Sequence, residues 1–275
     1  MKRMTTREVQ EVSLEILKDV HEFCVHNNIK YSLCGGSLIG AIRHDGFIPW
    51  DDDVDIVMPR PDYEKFVKCY KSQKGFELFS PELPSSKKVY IRISKVCDMK
   101  KTLMLKNLYH WTDTDTGIGI DIIPAEGAPD TEEKAKLHIR SLEKNARALG
   151  RYRISKSPWG IILTHGSTVQ RIKNIIKKIT VGLLEPDSLE KMMRLQRRYD
   201  YDKSTYFIAG YIYGLGEWQS KVIFDDIILH KFEDTEFYVT AHYERYLKSL
   251  FGNYMELPPE EKRVSHDFFD YYWKD

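Results

Sequence analysis

From Thr6 to about Asn27 the apolar positions Val9, Val12, Ile16, Val20 and Phe23 recur at helical spacing, with Thr6 as the expected N-cap. Ile29 to Cys34 reads as a short strand, and Gly35-Gly36-Ser37 interrupts it before a short helix over Leu38 to Arg43. After a turn at His44-Asp45-Gly46, the alternating run Asp53 to Met58 predicts a strand, and Asp62 to about Ser72 a helix. Val89 to Val96 and Ile118 to Ile123 are further strands, the second closed by Pro124. Beyond it the period changes to that of helices over Thr131 to about Leu149 and Asp187 to about Tyr199. A hairpin follows, with Ile227 to Lys231 and Phe237 to Val239 flanking Glu233-Asp234-Thr235-Glu236. Last comes an aromatic helix through Tyr243, Tyr246, Leu247, Leu250 and Phe251. The pattern divides the chain into a mixed α/β core over 1–125, a helical and partly basic region over 126–222, and a segment over 223–275 expected to pack back on the core.

Composition narrows the function classes. With 42 Lys+Arg against 41 Asp+Glu the formal net charge is +1, so bulk attraction to nucleic acid is not expected. No apolar run reaches the roughly 20 residues of a spanning helix, and the charged N-terminus carries no secretory h-region. Cys24, Cys34, Cys69 and Cys97 are scattered without metal-ligand spacing, which predicts buried free thiols and a reducing compartment. These features together predict a cytoplasmic protein.

The densest chemistry is Asp51-Asp52-Asp53-Val54-Asp55. In a regular strand Asp53 and Asp55 point to one face, roughly 7 Å apart, placed to grip a divalent cation. Asp51, Asp53 and Asp55 also imitate an EF-hand loop, but Ile56 and Asp62 stand where that loop needs Gly and Glu. The Asp-x-Asp of a sugar-nucleotide glycosyltransferase is a competing reading. Gly35-Gly36-Ser37 lies at a strand-to-helix junction about 16 residues upstream, where the backbone can approach a phosphate. Asp121 stands alone in the apolar run Ile118 to Pro124, a costly place for an acid without a cation or partner. Arg92 and Lys95 are candidate cations for a phosphate near these acids, although a regular strand puts them on opposite faces, leaving at most one in the site. His44 follows the glycine-started helix and is a candidate neighbour of the site.

The segment from Leu33 to Ile56, including Gly35-Gly36-Ser37 and Trp50-Asp51-Asp52-Asp53-Val54-Asp55, closely resembles the signature of the LicD family. These are bacterial phosphocholine transferases related to fukutin and fukutin-related protein. The resemblance continues through Ile120 to Pro124 and through Tyr254 to Arg263, with Arg263 and His266 in or beside its C-terminal part. One departure is Glu126, where an aspartate is expected in many relatives. The resemblance implies a nucleotidyltransferase-like mixed sheet, α/β (α+β) in class, carrying a helical substrate region. It implies Asp53, Asp55 and Asp121 as metal-binding and catalytic acids, and Gly35, Gly36 and Ser37 as a phosphate cradle. Mg²⁺ is the implied cofactor, with Mn²⁺ as the second choice. The implied reaction moves phosphocholine from CDP-choline to a sugar hydroxyl of a teichoic acid or lipopolysaccharide type of glycan precursor, lipid-linked and therefore at the inner membrane face. A different CDP-alcohol, or transfer of a nucleotide to a protein or small molecule, are the alternatives, and a non-catalytic glycan-binding role is more distant. Trp50, Tyr109, Trp111 and Trp218 lie near site-forming or loop segments, but 5 Trp, 17 Tyr and 12 Phe are too many to single out a choline cage.

Between Glu143 and Glu185 there is no acidic residue, while Lys144, Arg147, Arg151, Arg153, Lys156, Arg171, Lys173, Lys177 and Lys178 add nine positive charges. Val169, Ile172, Ile175, Ile176, Ile179 and Leu183 recur there at helical spacing. Two readings stand: a core-packed helix with a solvated basic face, or a basic amphipathic helix facing an anionic membrane. Burial of Ile172, Ile176 and Ile179 decides between them.

Overall fold

The structure, a computed structural model, describes residues 1–84, 88–108, 110–184, 187–210, 212–265 and 269–275, without the side chains of 182–184. Helix α1 (Thr6–His26) starts at a capping box on Thr5, one residue before the expected cap: Thr5 Oγ1 accepts from the Glu8 amide, and the Glu8 carboxylate accepts from the Thr5 amide. Its apolar stripe of Val9, Val12, Ile16 and Val20 is buried. The chain then forms β1 (Ser32–Leu33), α2 (Gly35–His44), β2 (Asp55–Pro59), α3 (Arg60–Cys69), β3 (Glu77–Phe79), β4 (Ser94–Cys97), β5 (Thr102–Met104) and β6 (Gly119–Ala128).

These strands build a mixed sheet in the order β1-β2-β6-β4-β3, with β2 parallel to β6 and β4 antiparallel to it. The expected stop at Pro124 does not occur. Strand β6 runs on because its neighbour on one side changes there, from β4, last paired at Ser94↔Ile122, to β7 (Tyr206–Ile208), first paired at Glu126↔Ile208. A missing N–H at the gap between two neighbours loses no ladder bond on that side. Strand β7 in turn pairs with β8 (Trp218–Ser220), so the sheet crosses the 125/126 division.

The C-terminal part supplies the hairpin β9 (Ile227–Phe232) and β10 (Thr235–Thr240), then α8 (Tyr243–Phe251) and β11 (Tyr271–Trp273). Phe232, Phe237, Val239, Tyr246 and Leu247 join Ile16, Leu33, Ile56 and Ile122 in one apolar core. Strand β11 closes antiparallel on β5. Cys24, Cys34 and Cys97 are buried; Cys69, at the C-terminus of α3, is exposed instead.

Four helices connect β6 to β7: α4 (Glu132–Lys156), α5 (Trp159–Thr164), α6 (Thr168–Leu184) and α7 (Ser188–Gln196). The core-packed reading of α6 fails: Val169, Ile172, Ile176 and Ile179 are all more than half exposed. Its inward side buries Val181 and carries polar groups beside it. Asn174 is fully buried and accepts from Gln170, and the Lys178 ammonium donates to the carbonyls of Ser155 and Ser157.

Under α4, His138 is 4% exposed and lies edge-on to Tyr199, with ring centroids 5.0 Å apart. Burial, reinforced by the Arg198 charge, holds its imidazole down at about 4. The unfolded chain binds this proton near pH 6.5 and the folded one only near 4, so unfolding takes up a proton between these values. Stability should therefore fall as pH drops through that window, by up to about 3 kcal/mol. Denaturant titrations across pH check this, and His138→Gln should remove that part of the slope.

Candidate active site

The acids enter the site through register. Asp55 of β2 stands opposite Asp121 of β6, and Asp121 stands opposite Lys95 of β4, so the three form one row across three adjacent strands. The Lys95 ammonium is ion-paired to the Asp121 carboxylate. Burial works to lower the Lys95 pKa, but the charge and hydrogen bond of Asp121 outweigh it and leave it above the ordinary lysine value. Asp121 thus has the counter-charge that its place in an apolar strand requires, and it comes from this chain.

Strand β2 begins at Asp55, two residues later than its alternation predicts, so Asp51 to Asp53 lie on the loop leading into it. That loop is tied from below. The amide of buried Gln10 on α1 donates to the carbonyls of Ile48 and Asp51 at 3.2 and 2.8 Å. Nothing in the α1 pattern marks Gln10 beyond its being a polar residue beside the apolar stripe.

A cavity of about 430 Å³ opens over this region. Asp52, Asp53 and Asp121 line it together with Arg92, Lys95 and Arg153. Both expected cations therefore face the site. A regular strand from Val89 would put them on opposite faces, whereas β4 begins only at Ser94 and Arg92 sits on irregular chain. Arg92 also donates to the carbonyls of Ala209 and Gly210, which ties the turn after β7 to the cavity wall. Arg153 was read only as one charge of the basic stretch; on α4 it donates to the His110 carbonyl and reaches the cavity. Trp111, Phe269 and Tyr271 add an aromatic wall, and Lys95 Nζ stands 5.8 Å from the centre of the Trp111 ring.

Gly35, Gly36, Ser37 and His44 do not line this cavity. The first three start α2 and seat the acids. Gly35 is left-handed at φ +55°, and a side chain on Gly36 would begin 2.6 Å from an Asp51 carboxylate oxygen. Ser37 Oγ accepts from the Asp55 amide at 2.9 Å. His44 ends α2 against Arg43 and Trp50, and burial, then the Arg43 charge, lower its pKa. Asp55 lies beside Gly35, with its carboxylate 3.5 Å from where a Gly35 Cβ would stand. Trp50 meets Arg263 at 5.6 Å from ring centre to guanidinium, so the first and last motif segments touch. Trp218 packs away from the cavity, stacked on Tyr206. Tyr109 and His266 lie outside the described residues. Glu126 is buried and bonded to Arg60 at 3.0 Å, a partner that suits a structural acid.

Among the described residues no group of three His, Cys, Asp or Glu side chains is close enough to hold a metal by itself. The donor chemistry of Asp53 and Asp55 nevertheless fits Mg²⁺, which binds through one or two carboxylates plus substrate phosphate oxygens. With the Lys95 ammonium on Asp121, a metal there would meet cation against cation, so Asp121 fits the part of third ligand poorly.

A sequence model of a family of nucleotidyltransferase domains, described as LicD/FKTN/FKRP, matches residues 28–138, the stretch that carries α2, the acidic loop, β4 and β6. Along almost its whole length the chain is 30% identical to a lipopolysaccharide cholinephosphotransferase of Haemophilus influenzae, covering 99% of each chain. An uncharacterised protein of Rickettsia typhi is 35% identical over 101 residues, 35% of this chain and 30% of that one. One of Rickettsia prowazekii is 55% identical over 42 residues, 15% of this chain and 16% of that one. The chain belongs to the LicD family.

The Lys95–Asp121 pair should behave as a unit. In a denaturation cycle of Lys95→Met, Asp121→Asn and the double variant, the coupling energy should be about 1–3 kcal/mol. A cycle that closes additively would show that the two charges are not coupled.

Proposed function

We propose that this chain transfers phosphocholine from CDP-choline to a sugar hydroxyl of a cell-envelope glycan precursor. The observation that carries this is the likeness, over both full lengths, to a lipopolysaccharide cholinephosphotransferase. The cavity supports it, because three cations and three carboxylates on one wall suit a diphosphate donor and a hydroxyl acceptor.

In this reading Arg92 and Arg153 draw the diphosphate into the cavity and spread its charge. The acceptor hydroxyl oxygen forms a bond to the phosphorus that carries choline, the bond from that phosphorus to the bridging oxygen breaks, and CMP leaves with that oxygen. Asp121 takes the hydroxyl proton, and Lys95 keeps its carboxylate turned to the cavity wall. Asp53 and Asp55 would hold Mg²⁺, which when bound supplies further neutralisation of the phosphates. Trp111 already has the Lys95 ammonium near its face, so it is a poor host for the choline cation.

Incubation with CDP-choline and a glycan acceptor should release CMP and add phosphocholine to the glycan, both read by mass spectrometry. Asp53→Asn should cut turnover by about 10²–10³-fold with the fold intact, since it removes a charge that acts mainly in the transition state. Near-normal turnover by the folded variant would remove Asp53 from the chemistry. Release of pyrophosphate from a nucleoside triphosphate, with no CMP from any CDP-alcohol, would replace the proposal with nucleotide transfer.

A further inference from the structure

Helix α6 is amphipathic in the reverse of the usual sense. Val169, Ile172, Ile176 and Ile179 recur every three or four residues on its outward side, at 61, 52, 54 and 52% exposure. Its inward side carries buried Val181, buried Asn174 and the Lys178 ammonium that holds the end of α4. The preceding α5 adds exposed Trp159 and Leu163. Monomeric proteins rarely leave so many large apolar side chains outside without a use. Lys173 stands one turn after Val169 at the border of the stripe, half-buried Lys177 one turn further along that flank, Arg171 lies on the opposite flank, and no acidic residue occurs between Glu143 and Glu185.

We infer that α5 and α6 form a docking surface for an anionic phospholipid bilayer. Charge complementarity selects this occupant: an apolar stripe on helices whose charged residues are all cations matches an acyl boundary beneath negatively charged headgroups. The mode is peripheral, because no helix among the described residues is long and apolar enough to cross a membrane. Lysines on the border can extend to the phosphates while the isoleucines enter the headgroup region. Lys178 takes no part in this contact, since its ammonium is engaged with the Ser155 and Ser157 carbonyls. Helix α6 packs on α4, and α4 also contributes Ala146, Leu149, Gly150 and Arg153 to the cavity wall. A docked α6 therefore sets the cavity one helix away from the bilayer surface. The inference stands on this surface alone and does not depend on the identity of the transferred group.

Sedimentation of the full chain with vesicles of phosphatidylglycerol and phosphatidylcholine tests it. The chain should pellet with these vesicles at low salt, be released at high salt, and stay in solution with phosphatidylcholine alone. Lys173→Gln with Lys177→Gln should weaken the partition roughly thirty-fold, and Ile172→Asp with Ile176→Asp should abolish it without lowering the melting temperature. Should the aspartate variant fold poorly, brominated anionic lipids supply a second reading on the native surface. They should quench tryptophan fluorescence in the wild type, and Trp159→Phe should lose most of that quenching. No pelleting with anionic vesicles at low salt would overturn the inference, as would pelleting that neither pair of substitutions weakens. Self-association that the aspartate pair abolishes, with no vesicle binding by the wild type, would assign the face to a second copy of the chain.

Discussion

The pairing of β4, β6 and β2 puts Lys95, Asp121 and Asp55 in one row, and the site is built on that row. An acid inside an apolar strand is tolerable only when a counter-charge meets it on the same face. A one-residue slip between β4 and β6 would turn Lys95 to the other face and take its ammonium away from Asp121. Buried Val96, beside Lys95 on β4, opposes the same slip, because it would lose its place in the core. Apolar burial and charge pairing thus specify one register, and the sheet holds a polar row that neither term alone would fix.

The acidic loop ahead of β2 is a different problem, since like charges in succession repel and do not order themselves. Elements far away in sequence order it. Gln10 from α1 takes two of its carbonyl groups, and Glu233 from the β9–β10 turn accepts from the Phe47 amide while pairing with Arg7. Arg43 reaches the carbonyls of Tyr254 and Glu256, and Arg263 covers Trp50. This explains why the two stretches of resemblance near the ends of the chain belong together: the second is a brace for the first. It also gives the C-terminal segment a part in the site beyond closing the core, because β11 on β5 brings Tyr271 into the cavity wall.

Legibility followed the range of the forces involved. Helix α1, the hairpin β9–β10 and α8 could be placed from periodicity, since each has one apolar face turned to one core. Asp53 and Asp121 were legible as unusual acids, and the cavity contains both. What failed were statements requiring a neighbour. Pro124 looked like a stop because nothing local shows that β4 gives way to β7 there. Arg92 and Lys95 looked mutually exclusive because nothing local shows that the chain is irregular before Ser94. Arg153 is one of nine similar charges, and the absence of nearby acids points to the stretch but not to which of its cations lines the cavity.

The orientation of α6 is the plainest case in which pattern and environment part. Periodicity alone shows that its apolar residues share a face, and by habit that face is turned inward. Rotating the helix half a turn would bury Ile172 and Ile176, gaining about 1.5–3 kcal/mol for each side chain fully covered. It would also pull Lys178 off the carbonyl groups of Ser155 and Ser157 and lift Asn174 and Val181 out of their buried places. Two lost hydrogen bonds from a charged donor, at about 1.5–3 kcal/mol each, offset what the two isoleucines return. Lys178 therefore fixes the orientation: with its ammonium held at the end of α4, the apolar stripe on the other side of α6 stays outward.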